Sequence, residues 1–134
     1  MIVGIGSDVL EVARMERELR TDGSSFREDV FTPGEIAYCE AKRDPARHFA
    51  ARFAAKEAVF KALSLDGAGG LRFRNVEVCN DGLGAPRVEL SGAMRELAEA
   101  SGVGRIFLSL SHTDELATAT VVLESEDPAA RPVR

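Results

Sequence analysis

Apolar positions that alternate with small or acidic ones begin near the first residue and predict a β-strand over residues 2–10. One face of this strand is small or acidic and holds Gly4, Gly6 and Asp8. The other face is apolar and holds Val3, Ile5 and Val9. Because glycine has no side chain, the first face leaves room beside the strand for another backbone or for a ligand.

Two further pairs of alternating segments predict two β-hairpins. Residues 75–79 and 87–90 are joined by a turn-forming segment that is rich in glycine, asparagine and aspartate. Residues 105–112 and 117–124 are joined by the short sequence Thr113-Asp114-Glu115. The second half of the chain therefore supplies four of the five predicted strands.

Capping residues predict helices between these strands. A charged helix is expected over residues 11–20, and Thr32 with Glu35 three residues later forms a capping-box pattern for a helix to about residue 41. Asp44 is expected to cap a long helix that ends near residue 63, before the glycine-rich segment 67–70. Ser91 is expected to cap a short helix that ends near residue 102.

This order of elements predicts an α+β fold, in which a long central helix packs on a sheet of antiparallel type. The pattern favours one domain over residues 1–124. Residues 125–134 carry two prolines and show no periodicity, which predicts a disordered C-terminal tail.

Composition excludes some classes of partner. The formal net charge is −5, tryptophan is absent, and no basic stripe stands out, so we expect no nucleic acid as a partner. The cysteines, Cys39 and Cys79, lie far apart without a metal-binding motif and are typical of free thiols in a reducing compartment. No leader-like or membrane-spanning apolar run is found, so we expect a cytoplasmic protein without membrane association.

The long predicted helix carries charge where its pattern is otherwise apolar. Phe49, Phe53 and Phe60 fall within roughly 40° of one another on a helical wheel. Glu57 lies at the edge of this stripe, and alanines fill much of the remaining surface, so a sheet or a partner subunit should cover the helix on several sides. Glu57 can form a surface ion pair with Lys61, four residues later, or it can bind a cation.

Asp8 allows the same two kinds of interpretation. It can cap the helix that begins near residue 11, or it can act together with Glu57. Magnesium binds through one or two carboxylates, water and the phosphates of a substrate. Arg52, Lys56 and Lys61 on the long helix could supply positive charge for such phosphates.

Three blocks of sequence carry a resemblance to a known family. They are Gly4-Ile5-Gly6-Ser7-Asp8-Val9 through Arg14, Arg52-Phe53-Ala54-Ala55-Lys56-Glu57-Ala58 through Leu63, and Leu108-Ser109-Leu110-Ser111-His112-Thr113. In order and approximate spacing they resemble the holo-acyl-carrier-protein synthases, the short single-domain group of phosphopantetheinyl transferases. The resemblance covers about residues 1 to 124 and is most specific in the second block.

The resemblance implies roles for individual residues. Asp8 and Glu57 match the magnesium carboxylates, and Lys61 matches the lysine that contacts the pyrophosphate of coenzyme A. The positions that match the nucleotide and 3′-phosphate contacts are Arg52, Lys56, Pro86, His112 and Thr113. The family commonly has a basic residue between the glycine and the proline of the turn before Pro86, where this chain has Ala85, so one expected contact is in question.

The resemblance also implies a reaction and its partners. The serine hydroxyl of an acyl carrier protein attacks coenzyme A, adenosine 3′,5′-bisphosphate leaves, and either Glu57 or a water bound at the metal accepts the serine proton. Family members are homotrimers with their sites between subunits, and they activate carrier proteins for fatty acid or polyketide synthesis. Arg14 matches a contact to the carrier protein, and further basic candidates nearby are Arg17, Arg20 and Arg27.

Two other functions fit parts of the same pattern. A docking module could bind a carrier protein or a nucleotide without catalysing transfer, but it would not need Asp8, Glu57 and Lys61 together. A magnesium-dependent phosphohydrolase would act on coenzyme A with water as the acceptor. The product formed from coenzyme A and an apo carrier protein distinguishes the three.

Overall fold

The elements of the chain follow the predicted order of strand, helices, hairpin, helix and hairpin. The structure is a computed structural model that describes residues 1–65 and 70–133. The strands are β1 (Ile2–Glu11), β2 (Val76–Asn80), β3 (Pro86–Leu90), β4 (Arg105–His112) and β5 (Leu116–Glu124). The α-helices are α1 (Val12–Arg20), α2 (Phe26–Val30), α3 (Pro33–Glu40), α4 (Pro45–Ala62) and α5 (Gly92–Ala100), and a 3₁₀ helix spans Gly70–Asn75.

The capping predictions are confirmed only in part. At the start of α3, Thr32 and Glu35 form the predicted capping box, with a backbone–side-chain hydrogen bond in each direction. Asp44 and Ser91 do occupy the N-cap positions of α4 and α5, but neither side chain makes a capping hydrogen bond. The Asp44 carboxylate instead lies 3.2 Å from Arg47. α4 ends at Ala62, as the expected end near residue 63 predicted, and most of the glycine-rich segment 67–70 lies outside the described residues.

Two sheets form the β layer. β1, β5 and β4 make an antiparallel three-stranded sheet in that spatial order, and β2 and β3 make a separate antiparallel hairpin. The main core lies between α4 and the three-stranded sheet, with Ala54, Ala58, Val121 and Leu123 buried. A second buried cluster joins the first half of α4 to the helices α1, α2 and α3. The predicted α+β fold with a long central helix on an antiparallel sheet is confirmed.

Gly4 and Gly6 let β1 lie directly against the backbone of α4. A Cβ atom at Gly6 would collide with the carbonyl oxygen of Ala58, and one at Gly4 with that of Ala62. The glycine face of β1 is therefore occupied by another backbone, which is one of the two occupants that the sequence allowed. Asp8 follows on the same face of the strand, so this approach brings its side chain alongside α4.

The apolar face predicted for β1 is divided between core and surface. Val3 is buried, whereas Ile5 and Val9 are 62% and 58% exposed. The pairing of β1 with β5 shifts register between Ile2 and Gly4, and such an irregularity breaks the two-residue alternation at Val3. Ile5 faces away from α4 in the same row as Val122 of β5 and Phe107 of β4.

Residues 125–133 return to the beginning of the chain. The Ser125 amide donates to the Met1 carbonyl, and the Val133 amide donates to the Val3 carbonyl at 2.7 Å. Ser125 is buried, and Ala130 contributes to the main core. Disorder of this tail stays a prediction, and these contacts argue against it. Deuterium exchange at the Val133 amide distinguishes a protected tail from a disordered one.

Replacing Gly6 with alanine should destabilise the fold, because the new methyl group would force β1 and α4 apart. We expect the free energy of unfolding to fall by about 1–3 kcal/mol, the usual range for overpacking. Urea denaturation measures the change. Gly82→Ala in the β2–β3 turn is the matched control, because a Cβ there meets no atom of the described residues within 4 Å. Equal midpoints for the two variants would contradict the close approach of β1 to α4.

Candidate active site

Asp8, Glu57 and Lys61 come together where β1 crosses the second half of α4. The Lys61 Nζ atom lies 2.9 Å from Asp8 Oδ1 and donates another hydrogen bond of 3.1 Å to the Ser7 carbonyl. The Asp8 side chain is mostly buried, at 18% exposed, whereas that of Lys61 is half exposed. Lys61 thus joins α4 to β1 and keeps its charge within reach of a ligand in solvent.

Glu57 belongs electrostatically to the same group. Burial raises the pKa of the Glu57 carboxyl, and the negative charge of Asp8 raises it further. Lys61 and Arg14 act in the opposite direction. The two carboxylates therefore repel each other across the β1–α4 contact, and a cation between them would relieve that repulsion.

The capping role considered for Asp8 is not observed. The N-cap residue of α1 is Glu11, whose side chain makes no capping hydrogen bond, and the Asp8 carboxylate instead accepts from Lys61. Lys61 lies on α4 four residues after Glu57 and interacts with both acids: its charge lowers the pKa of Glu57, and its ammonium group pairs with Asp8. A surface ion pair between Glu57 and Lys61 therefore describes only part of the interaction.

These two carboxylates have the chemistry of a magnesium site. Magnesium prefers oxygen ligands and uses one or two carboxylates beside substrate phosphates. The negative charge of Asp8 raises the pKa of the Glu57 carboxyl, so both carboxylates contribute to one local negative field. The donor set and the local field therefore fit the ion.

Lys56 is not positioned for the nucleotide contact that was predicted. Its side chain is fully buried, and its Nζ atom lies 2.8 Å from Glu35 Oε1. It also donates to the carbonyl oxygens of Phe73 and Val76. All three protons of the ammonium group are used inside the protein, so a bound nucleotide has none to accept. Lys56 instead joins α3, the 3₁₀ helix and β2 to α4.

Arg52 is also built into the protein, close to the β2–β3 hairpin. It is 3% exposed, and its Nη2 atom donates to Asn80 Oδ1 at 2.8 Å. Its guanidinium carbon lies 3.9 Å from the centre of the Tyr38 ring. The Nε atom is buried and has no hydrogen-bond partner within the described part of the chain. Pro86 pairs with Asn80 across the hairpin, so Arg52 connects Pro86 to α4.

His112 and Thr113 lie at the end of β4, near the beginning of α4. Thr113 Oγ1 accepts hydrogen bonds from the Glu115 and Leu116 amides and so stabilises the β4–β5 turn. His112 lines an open cavity of about 770 Å³. The other lining residues are Lys42, Arg43, Asp44, Arg47, His48 and Asp114.

Most of this cavity was missed by reasoning from the sequence. Lys42, Arg43, Arg47 and His48 lie within seven residues, and this density of basic groups before a long helix is the signal that could have identified them. Arg47 lies 2.7 Å from Asp114 and 3.2 Å from Asp44, which holds the β4–β5 turn against α4. The cavity is therefore basic and is held in place by ion pairs.

The geometry gives two clusters on one helix: an acidic pair with Lys61 near one end of α4 and a basic cavity near the other. The family model described as "4′-phosphopantetheinyl transferase superfamily" matches residues 4–121, most of the chain. The chain belongs to that superfamily. The match covers most of β1, all of α4 and most of β5, and so includes both clusters.

Relatives in this superfamily agree in sequence and in structure. The holo-[acyl-carrier-protein] synthase of Geotalea daltonii is 44% identical, over 92% of this chain and 99% of its own length. The corresponding synthase of Neisseria meningitidis superposes with a TM-score of 0.84 at 34% identity, over 93% of this chain and 100% of the other. A structure described as a Chronobacterium ammoniagenes ACPS–CoA complex superposes with a TM-score of 0.80 at 29% identity, over 92% and 98% of the two chains.

These comparisons confirm the resemblance to the holo-acyl-carrier-protein synthase family. Among the described helices, none combines the length and the apolarity needed to cross a bilayer.

Removing the Lys56 ammonium group should strongly destabilise the fold. Lys56→Met leaves the buried Glu35 carboxylate without its cation, which typically costs about 3–5 kcal/mol. Urea denaturation measures the loss, and Lys42→Met on the exposed α3–α4 connection is the control, expected to cost less than about 1 kcal/mol. A Lys56 variant as stable as the Lys42 variant would mean that Lys56 is not a core residue.

Proposed function

We propose that this chain transfers the 4′-phosphopantetheine group of coenzyme A to a serine of an apo acyl carrier protein and releases adenosine 3′,5′-bisphosphate. The observation that carries the proposal is the convergence of Asp8, Glu57 and Lys61 at the β1–α4 contact. This cluster lies in a chain whose relatives are named holo-[acyl-carrier-protein] synthases.

Asp8 and Glu57 would hold magnesium in this reaction. The bound ion would stabilise negative charge on the pyrophosphate oxygens of coenzyme A. Lys61 adds a positive charge at the same place, and its hydrogen bonds to Asp8 and Ser7 orient it before the substrate binds.

The transfer exchanges one phosphorus–oxygen bond for another. The serine oxygen attacks the phosphorus next to the pantetheine group, and the bond from that phosphorus to the bridging oxygen breaks. Adenosine 3′,5′-bisphosphate leaves with the electron pair, and a base accepts the serine proton. Glu57 directly, or a water held at the same site, would accept this proton.

The nucleotide end of coenzyme A would lie over the basic cavity. His48 and Glu57 are nine residues apart on α4, which corresponds to about 14 Å along the helix axis. An extended ligand with phosphates at two points can therefore contact both clusters. Of the matched nucleotide positions, His112 lines this cavity and Thr113 follows it in the β4–β5 turn. Arg52 holds the β2–β3 hairpin that carries Pro86 through its hydrogen bond to Asn80.

The acyl carrier protein would bind beside α1. Arg14 is close enough to Glu57 to influence its pKa, so a partner that contacts Arg14 also reaches the acidic pair. Arg17 and Arg20 lie in the last turn of the same helix. Arg27 is less suitable, because its Nε atom lies 3.5 Å from Glu40 and its guanidinium group lies over the Phe49 ring.

We also infer a homotrimer whose subunits meet through the face of the sheet opposite α4. Ile5, Val9 and Phe107 are exposed on that face at 62%, 58% and 43%, and neighbouring copies could bury them. Sedimentation equilibrium at the mass of three chains would support the assembly, and a monomer would refute it.

The proposed role, activating carrier proteins for fatty acid or polyketide synthesis, places the enzyme in the cytoplasm.

Transfer is tested by incubating the protein with magnesium, coenzyme A and an apo carrier protein. Mass spectrometry should show that the carrier gains one phosphopantetheine group. Lys61→Met should lower kcat/KM by about 10²–10³-fold, as loss of a preorganised charge usually does. Glu96→Gln, an exposed change on α5, should leave it unaltered. Free phosphopantetheine would instead indicate hydrolysis, and no product would indicate a docking module.

Metal binding by Asp8 and Glu57 can be measured separately from catalysis. Asp8→Asn and Glu57→Gln should each weaken binding of Mn²⁺, a spectroscopic substitute for Mg²⁺, by at least about tenfold, because carboxylate charge sets the affinity for hard cations. Electron paramagnetic resonance of free Mn²⁺ measures the affinity without turnover. Unchanged affinity in both variants would contradict the site.

Charge reversal at Arg14 should weaken binding of the carrier protein and leave binding of coenzyme A unchanged. We expect Arg14→Glu to raise the KM for the carrier about tenfold, because carrier proteins are acidic and rim charges control such encounters. Steady-state kinetics with each substrate varied in turn measures the split. Arg95→Glu is the control, because it makes the same charge change on the exposed face of α5, away from α1. An equal increase in both KM values would refute the assignment.

A further inference from the structure

Two imidazole rings meet in the basic cavity at the beginning of α4. His48 projects from the first turn of α4, and His112 is the last residue of β4. Their ring centres are 5.3 Å apart, and the planes are inclined by 70°. His48 is half-buried, and on its other side the Tyr38 ring of α3 lies 6.2 Å away. His48 is thus held between two aromatic rings at the wall of the cavity.

Positive charge surrounds this pair from several elements. Lys42 and Arg43 belong to the connection between α3 and α4, and Arg47 and Arg52 belong to α4. The Lys42 ammonium group and the Arg52 guanidinium group both lie over the Tyr38 ring, which is next to His48.

The negative charges of the cavity are already engaged. The carboxylates that line it belong to Asp44 and Asp114, and both form ion pairs with Arg47. Burial lowers the pKa of His48, and the nearby His112, Arg52, Lys42 and Arg47 lower it further. His48 is therefore neutral in the ligand-free protein at neutral pH.

We propose that His48 is a proton-linked binding residue, which takes up a proton when the phosphomonoester of the donor substrate enters the cavity. This inference rests on the proposed function, because it assigns the 3′-phosphate of coenzyme A to the cavity. A dianionic phosphate reverses the local field and favours the imidazolium form, which then donates a hydrogen bond to the phosphate. The residue thereby selects coenzyme A over its 3′-dephosphorylated form.

The direction of the pH dependence follows from linkage. The pKa of His48 is higher in the complex than in the free protein, so binding takes up a proton at pH values between the two. Coenzyme A therefore binds more tightly as the pH falls through the pKa of the complex, and the gain is complete below that of the free protein. Protonation of the phosphate itself, with a second pKa of about 6, affects every protein variant alike.

A packing role is the competing explanation for His48. The ring contacts His112 and Tyr38 edge-to-face, and phenylalanine could make the same contacts without carrying a charge. His48→Phe therefore separates the two explanations. His48→Gln is the second variant, and it keeps a hydrogen-bond donor without a titratable group.

Isothermal titration of the whole protein with coenzyme A and with 3′-dephospho-coenzyme A tests the proposal. Between pH 8.5 and pH 6.5 the wild-type affinity for coenzyme A should rise about threefold, which is part of the roughly tenfold gain that a shift of one pKa unit gives in full below the pKa of free His48. Both His48 variants should show no rise over this range. Titrations in buffers of different ionisation enthalpy should show proton uptake by the wild type with coenzyme A, and much less with the dephospho form.

The outcomes distinguish this inference from the proposed function. If the carrier protein is modified but His48→Phe and His48→Gln keep the wild-type pH dependence and proton uptake, the inference is overturned. Equal pH dependence for coenzyme A and its dephospho form also overturns it. If no transfer to the carrier occurs and neither nucleotide binds, the proposed function fails first.

Discussion

The approach of β1 to α4, backbone against backbone, is the constraint on which the candidate site depends. Gly4 and Gly6 have no side chains to separate the two elements, so the carbonyl groups of Ala58 and Ala62 lie directly over the strand. That closeness brings the short Asp8 side chain within 2.9 Å of Lys61. Longer acidic side chains could span a wider gap, but they would lose more conformational entropy when fixed.

The helix α4 combines the two parts of the site in one rigid element. Its second half carries Glu57 and Lys61, and its first turn carries Arg47 and His48. On its other sides, Lys56 and Arg52 hold α3 and the β2–β3 hairpin in place. Basic residues of the same helix therefore differ in role: some stabilise the core, and others lie at the surface.

Local patterns predicted most of the fold because they act over a few residues. The alternation of the strands and the capping box at Thr32 were sufficient for β1, both hairpins and α3. The five-residue α2 and the 3₁₀ helix are too short to show a periodicity, and the sequence did not reveal them. Asp44 was expected to cap α4, but an ion pair with Arg47 competes for its carboxylate.

The site was predictable where one helix and one motif defined it, and not where distant segments meet. Asp8, Glu57 and Lys61 come together as the sequence suggested. The burial of Lys56 depends on Glu35, which lies 21 residues earlier in the chain, so no local pattern reveals it. The cavity around His48 requires the β4–β5 turn to fold back onto α4, a contact that Arg47 and Asp114 make.

The spacing within β1 has a consequence for how such chains can vary. Side chains of a strand alternate, so Gly6 and Asp8 share a face only while their positions differ by an even number. Inserting a single residue between them would turn the carboxylate toward the outer surface, although every residue of the motif would remain. The parity of this short interval, as much as the identity of its residues, is what natural sequence change has to preserve.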